Sequence, residues 1–149
     1  MGSDAPETIA AIVAAHRAGT LTPAQTVARS YQRIRDHNDP AIFISLRDEK
    51  EALAEAEALA SKDPHALPLF GIPVAVKDNI DVLGLPTTAA CPAFSYSPAQ
   101  DSTAAAKLRA AGAIIIGKTN LDQFATGLVG VRSPYGIPVN PVRKDLVPG

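Results

Sequence analysis

The chain has 149 residues, 46% of them hydrophobic, and a formal net charge of -1. That balance suits a globular core and excludes a disordered chain; with no basic excess, nothing points to nucleic acid or to an anionic membrane surface. The single cysteine, Cys91, excludes an internal disulfide and a Cys-rich zinc site, and His16, His37 and His65 are too far apart for metal-ligand spacing.

The first third reads as helical. "DAPETIAAIVAAHRAG" carries Asp4 and Glu7 at capping-box spacing, an apolar set at Ile9, Ile12, Val13 and His16, and a stop at Gly19. "TPAQTVARSYQRIRDHNDP" repeats the design: Thr22 caps, Pro23 takes the first helical position, Gln25 completes the box, and Pro40 ends the segment. "AIFISL" is a short strand. "RDEKEALAEAEALASKDP" is an Ala/Glu-rich helix with a mostly polar face, expected on the outside. None of the apolar runs approaches the ~20 residues of a membrane helix. The start, "MGSDAPETIAAIV", has no basic segment ahead of its apolar stretch, as a signal peptide would. A soluble cytoplasmic protein without a structural metal is expected.

After Pro64 the pattern changes. "LPLFGIPVAVKDNIDV" is rich in β-branched residues and predicts a strand over Ile72–Val76. A long loop, "GLPTTAACPAFSYSPAQ", leads to a capped helix, "DSTAAAKLRAAG", and then to the apolar strand "AIIIG". Strand, crossover helix and strand imply a parallel pair, and two continuous apolar runs imply strands covered on both faces. Ligands gather beyond the carboxyl ends of such strands. Lys77 ends the first strand and "KTNLDQFATG" follows the second, so the two segments are expected on one side of the sheet. The remainder, "LVGVRSPYGIPVNPVRKDLVPG", is Gly/Pro-rich and irregular.

Lys77 is the residue that asks for an explanation. An ammonium at the end of an apolar strand snorkels to water, pairs with Asp78 or Asp81, or loses its proton. Burial favours the neutral amine, and a neutral lysine is a general base. An ionised Asp78 close by would oppose that, so Asp78 and Asn79 are read as orienting the turn.

"GIPVAVKDNIDVLGLPTTAACPAF", "DSTAAAKLRAAGAIIIGKTNLDQFATG" and the final "VPG" resemble the amidase signature family, over more than half of the chain. The resemblance implies an α/β fold, here the N-terminal part of the amidase signature fold: a mixed, largely parallel sheet flanked by helices. A helical region, 1–64, would precede the first part of the α/β domain, 65–149. Within the family, "TNLDQFATGLVGVRSPYG" is similar to allophanate hydrolases. Other amidases and the glutamyl-tRNA amidotransferase A subunit usually carry a Met-Gly-Ser-Ser type of sequence where this chain has Thr126-Gly127-Leu128.

The resemblance implies a Ser–cis-Ser–Lys triad that hydrolyses an amide without a cofactor. Lys77 matches the family's lysine, and Gly127, with Thr126 beside it, falls at a substrate-pocket position. The implied substrate is allophanate, and the implied setting is urea degradation, in some relatives fused to or beside a biotin-dependent urea carboxylase. Gly127 also reads as a helix C-cap after "NLDQFAT". Asn120 and Asp122 read as braces of that helix, Arg132 and Tyr135 as candidates for gripping an anion, and Thr87 and Thr88 as a loop bordering the site. Ser3, Ser30, Ser45, Ser61, Ser95, Ser97, Ser102 and Ser133 lie outside any Gly/Ser-rich segment, and none is assigned as nucleophile. The chain is accordingly expected to be an N-terminal piece of an amidase, inactive without the remainder of the amidase chain. Two other readings stand beside this one: a non-catalytic assembly module whose N-terminal helices form a homodimer contact, and an imine-forming lysine enzyme using Lys77.

Overall fold

The computed structural model describes residues 8–149. The expected Asp4/Glu7 cap lies outside them. Helix α1 (Ile9–Arg17) instead starts at Thr8, whose hydroxyl accepts the Ala11 N–H at 3.1 Å. Helix α2 (Pro23–His37) has the expected capping box. The Thr22 hydroxyl accepts from the Gln25 N–H at 3.2 Å, and the Gln25 side chain accepts from the Thr22 N–H at 2.9 Å. Its end comes before Pro40: Asn38 turns left-handed at φ 51 and closes the helix by donating to the Ile34 carbonyl.

Strand β1 (Phe43–Leu46), helix α3 (Glu49–Leu59), strand β2 (Pro73–Lys77), helix α4 (Thr103–Ala110) and strand β3 (Ile114–Thr119) follow, with one-turn 3-10 segments at Pro92–Phe94 and Gln123–Ala125. The sheet is mixed, in the order β1-β3-β2, with β3 antiparallel to β1 and parallel to β2. Among the described strands only β3 is covered on both faces. β2 is an edge strand in which Val76 alone is buried, so the expectation of two fully covered strands holds for one. Among the described residues no helix is long and apolar enough to cross a membrane.

Two apolar clusters sandwich β3. On one face Ile114 and Ile116 meet Val27 and Tyr31 of α2 and Ala52, Ala56 and Leu59 of α3. The acidic helix α3 is therefore not merely peripheral: its alanines are small enough to bring it close, and Ala52 and Ala56 are fully buried. Tyr31 sits in this cluster with its hydroxyl donating to the Arg47 carbonyl at 2.9 Å, and burial pushes its phenol up to about 12. His16 is a core histidine, held by the Phe70 carbonyl and the Thr26 hydroxyl, each at 2.8 Å. On the other face Ile115 meets Val76, Val82 and Ala105.

The β2–β3 register slips by one residue: Val74 faces Ile115, but Ala75 faces Gly117. Ile116 is the extra residue, and such a bulge resets which face each later side chain takes. Strand alternation would group Lys118 with Ile114 and Ile116. After the bulge it joins Ile115 and Val76 on the α4 face instead. Gly117 next to the bulge has no room for a side chain, because a Cβ would stand 2.7 Å from the Ser45 carbonyl oxygen and 2.9 Å from the Phe43 ring. Gly117→Ala is expected to cost about 1–3 kcal/mol. Its urea-unfolding midpoint should fall, and an unchanged midpoint would mean that β1 gives way freely.

Candidate active site

The carboxyl ends of β2 and β3 open into a cavity of about 220 Å³, lined among others by Lys77, Asn120, Leu121, Asp122, Ala125, Gly127 and Gly130. This is the side of the parallel pair where ligands collect. Lys77 is exposed, and among the described residues no hydrogen bond or ion pair holds its amine. The dry surround expected from the apolar strand is not there. Val76 is the last buried residue of an edge strand, and alternation sends the next side chain out on the opposite face.

Part of the cavity wall is built by a carboxylate. Asp122 accepts backbone N–H bonds from Val129 at 3.2 Å, Gly130 at 3.0 Å and Arg132 at 2.7 Å, which curls residues 127–132 around it. The predicted helix over "NLDQFAT" is only a 3-10 turn, broken by Phe124 at φ 53 and followed by Ala125 at φ 56. Asp122 thus braces the following loop rather than a helix. Gly127 has no positive φ and is not a left-handed helix cap. It is glycine because the Asp122 carboxylate fills the space a Cβ would take. Thr126 neighbours the cavity without lining it, and its hydroxyl donates to the Gln123 carbonyl at 2.8 Å.

A second left-handed pair, Ala89 (φ 49) and Ala90 (φ 56), docks on the first. The Phe124 N–H donates to the Ala89 carbonyl at 2.9 Å and the Gln123 amide to the Ala90 carbonyl at 3.0 Å. Left-handed alanines cost roughly 1 kcal/mol each and persist where the surroundings over-determine them. Here the strained backbone carries Ala125 into the cavity wall. Asn120 completes the frame: its amide donates to the carbonyls of Ala41 (2.9 Å) and Gly136 (3.0 Å), and its oxygen accepts the Ser133 hydroxyl at 2.6 Å.

Arg132 and Tyr135 do not line the cavity, and neither do Thr87 and Thr88. The two threonines are buried with Asp78 and Lys118 on the α4 face of the sheet. Lys118 is the lysine that sequence reasoning missed. It is fully buried, 2.9 Å from Asp78 Oδ1, and donates to the Pro86 carbonyl (3.0 Å) and Thr87 Oγ1 (3.1 Å). "IIIGK" was the available signal, a lysine ending a wholly apolar strand just as Lys77 ends "GIPVAVK".

The backbone donors, Arg132 first, hold the Asp122 carboxyl below the usual carboxylate range. A lowered folded-state value means stability present above the unfolded value, near pH 4, and lost as pH falls through the folded one. Asp122→Asn should therefore remove part of the wild-type loss of thermal stability below about pH 4. Superimposable pH–Tm curves would contradict the assignment.

The Amidase family matches residues 25–149, and the chain belongs to it. It is 57% identical over 108 residues to the urea amidolyase of Saccharomyces cerevisiae, covering 72% of this chain and 6% of that protein. It is 42% identical over 130 residues to the glutamyl-tRNA(Gln) amidotransferase A subunit of Akkermansia muciniphila, covering 87% of this chain and 27% of that protein. Its fold is similar to Kluyveromyces lactis allophanate hydrolase, with a TM-score of 0.80 at 42% identity over 95% of this chain and 23% of that enzyme. The chain thus spans well under a third of the length of each of these relatives.

Proposed function

We propose that this chain supplies the general-base lysine and one wall of the substrate cavity to an amide hydrolase acting on allophanate. The observation that carries the reading is Lys77, at the carboxyl end of a parallel strand and lining a small cavity that Gly127 also lines. The likeness to urea amidolyase and allophanate hydrolase supports the substrate class. Among the described residues the cavity lining has no serine, threonine or cysteine. The attacking hydroxyl and the bridging serine therefore belong, in this reading, to further sequence of the kind the longer relatives carry.

The steps follow from those parts. The Lys77 amine takes a proton from the bridging serine, which takes one from the nucleophile. The serine oxygen attacks the amide carbonyl, the C–N bond breaks, and the leaving nitrogen departs as ammonia with the relayed proton. Water then attacks the acyl ester by the same relay and frees the acid. From allophanate the final products are ammonia and carbon dioxide. Gly127, with Thr126 beside it, would meet the substrate from the cavity wall. The remainder of the amidase chain is the main partner. A homodimer contact, a link to a biotin-dependent urea carboxylase and a cytoplasmic place in urea degradation complete the reading.

Ammonia release from allophanate by the complete protein tests this. We expect turnover by the complete protein and none by residues 1–149 alone. The 42% identity to an amidotransferase subunit favours one other reading, in which the nitrogen donor is a different amide. Inertness toward allophanate with hydrolysis of glutamine would establish that reading and overturn ours.

A further inference from the structure

We propose that Lys118 is a positioning residue for Lys77: it is the dedicated counter-ion of Asp78, and it keeps that carboxylate on the far face of the sheet, away from the Lys77 amine. The proposal rests on the reading of Lys77 as general base. A proton-accepting lysine directly followed by an aspartate is a chemical conflict, because a nearby carboxylate stabilises the ammonium and opposes proton uptake. The Cα atoms of the two residues are only about 3.8 Å apart.

The fold separates them in two moves. The Asp78 N–H extends the β2–β3 ladder by one bond to the Thr119 carbonyl at 3.1 Å, so strand alternation continues and Asp78 faces opposite to Lys77. The bulge at Ile116 then turns Lys118 to that same opposite face. There the Lys118 ammonium donates to the Pro86 carbonyl and Thr87 Oγ1 and stands 2.9 Å from Asp78 Oδ1 as an ion pair. The other Asp78 oxygen accepts the Thr88 N–H at 3.0 Å and the Thr88 hydroxyl. One oxygen of the carboxylate is thus hydrogen-bonded and the other ion-paired, on the side away from the cavity.

Few other charges face this pair. Asp81 stands behind Thr87, accepting its hydroxyl at 2.8 Å and that of Tyr96 at 2.7 Å. On the α4 face lie Ala105 and Leu108; Lys107 is exposed, and Arg109 is occupied by Asp101 and Glu55. From β1, Ser45 pairs with Lys118. On the cavity side the carboxylate among the lining residues is Asp122, itself saturated by backbone donors. With Lys118 removed, Asp78 keeps Lys77 as its neighbour in the chain.

The test is the pH profile of kcat/KM for allophanate hydrolysis by the complete enzyme. Lys118→Met keeps the stem and deletes the charge; its acidic limb should move to higher pH by about one unit or more. The double variant Asp78→Asn/Lys118→Met should return the limb to the wild-type position. A purely structural role would lower the melting temperature and move no limb. A folded Lys118→Met enzyme whose limb coincides with wild type overturns the proposal. If that variant does not fold, the double variant decides: a wild-type limb supports the proposal, and a displaced limb, an inert protein or a failure to fold overturns it. Lys77→Met, assayed alongside, separates the two ideas. Normal turnover there removes the base assignment itself, whereas an inert Lys77→Met with an unmoved Lys118→Met limb removes only the role of Lys118.

Discussion

Replacing Lys77 by methionine in the complete enzyme should lower kcat by ~10³-fold while leaving the melting temperature close to wild type. Both halves of that expectation come from where the side chain sits. Its amine has no partner among the described residues and is exposed, so none of their packing or hydrogen bonds is lost. It also stands at the mouth of the cavity, so the loss falls on the chemical step. KM should change little, because the amine is asked to move a proton rather than to hold the substrate. Steady-state kinetics with thermal unfolding on the same preparation checks this. A variant that loses activity only because it melts early would point to a structural lysine.

Asp78→Ala should do the reverse, costing about 3–5 kcal/mol of stability. The substitution strands the Lys118 ammonium, which is completely buried, without its carboxylate. It also strands the Thr88 N–H and hydroxyl that Asp78 accepts. Removing one partner of a buried pair is far more damaging than removing both. Asp78→Asn with Lys118→Met, which strips both charges at similar volume, should therefore unfold much closer to wild type. Denaturant titration of the complete protein measures the difference. Equal losses for the single and double variants would mean that packing, not charge, holds this side of the sheet.

The secondary structure was largely written in local signals. Thr22, Pro23 and Gln25 announce the start of α2, and Ser102 accepts the Ala105 N–H at 3.2 Å to start α4 where the sequence places it. The parallel pairing of β2 with β3, and hence the common side for Lys77 and Asn120–Gly127, followed from element order alone. Other features had no local signature. The bulge at Ile116 depends on how β3 is gripped between two neighbours, and it decides the face on which Lys118 falls. The left-handed residues Ala89, Ala90, Phe124 and Ala125 are held by bonds between distant loops, in residue types that avoid that conformation. Asp122 resembles a helix cap by position; only its reach to Val129, Gly130 and Arg132 shows it as the brace of the cavity wall. The apolar run before Lys77 suggested burial of the lysine too, but the edge position of β2 leaves the side chain in solvent.

The most direct measurement is the rate at which a fluorophosphonate acylation mimic labels the nucleophile of the complete enzyme, with Lys77 intact and replaced by methionine. That rate reports activation of the attacking hydroxyl without any contribution from substrate affinity or leaving-group protonation. If residue 77 draws the proton off the hydroxyl relay, labelling of the methionine variant is slower by ~10³-fold at neutral pH and no longer rises through the ionisation seen in wild type. Equal labelling rates in the two folded proteins would show that the nucleophile is activated by something else.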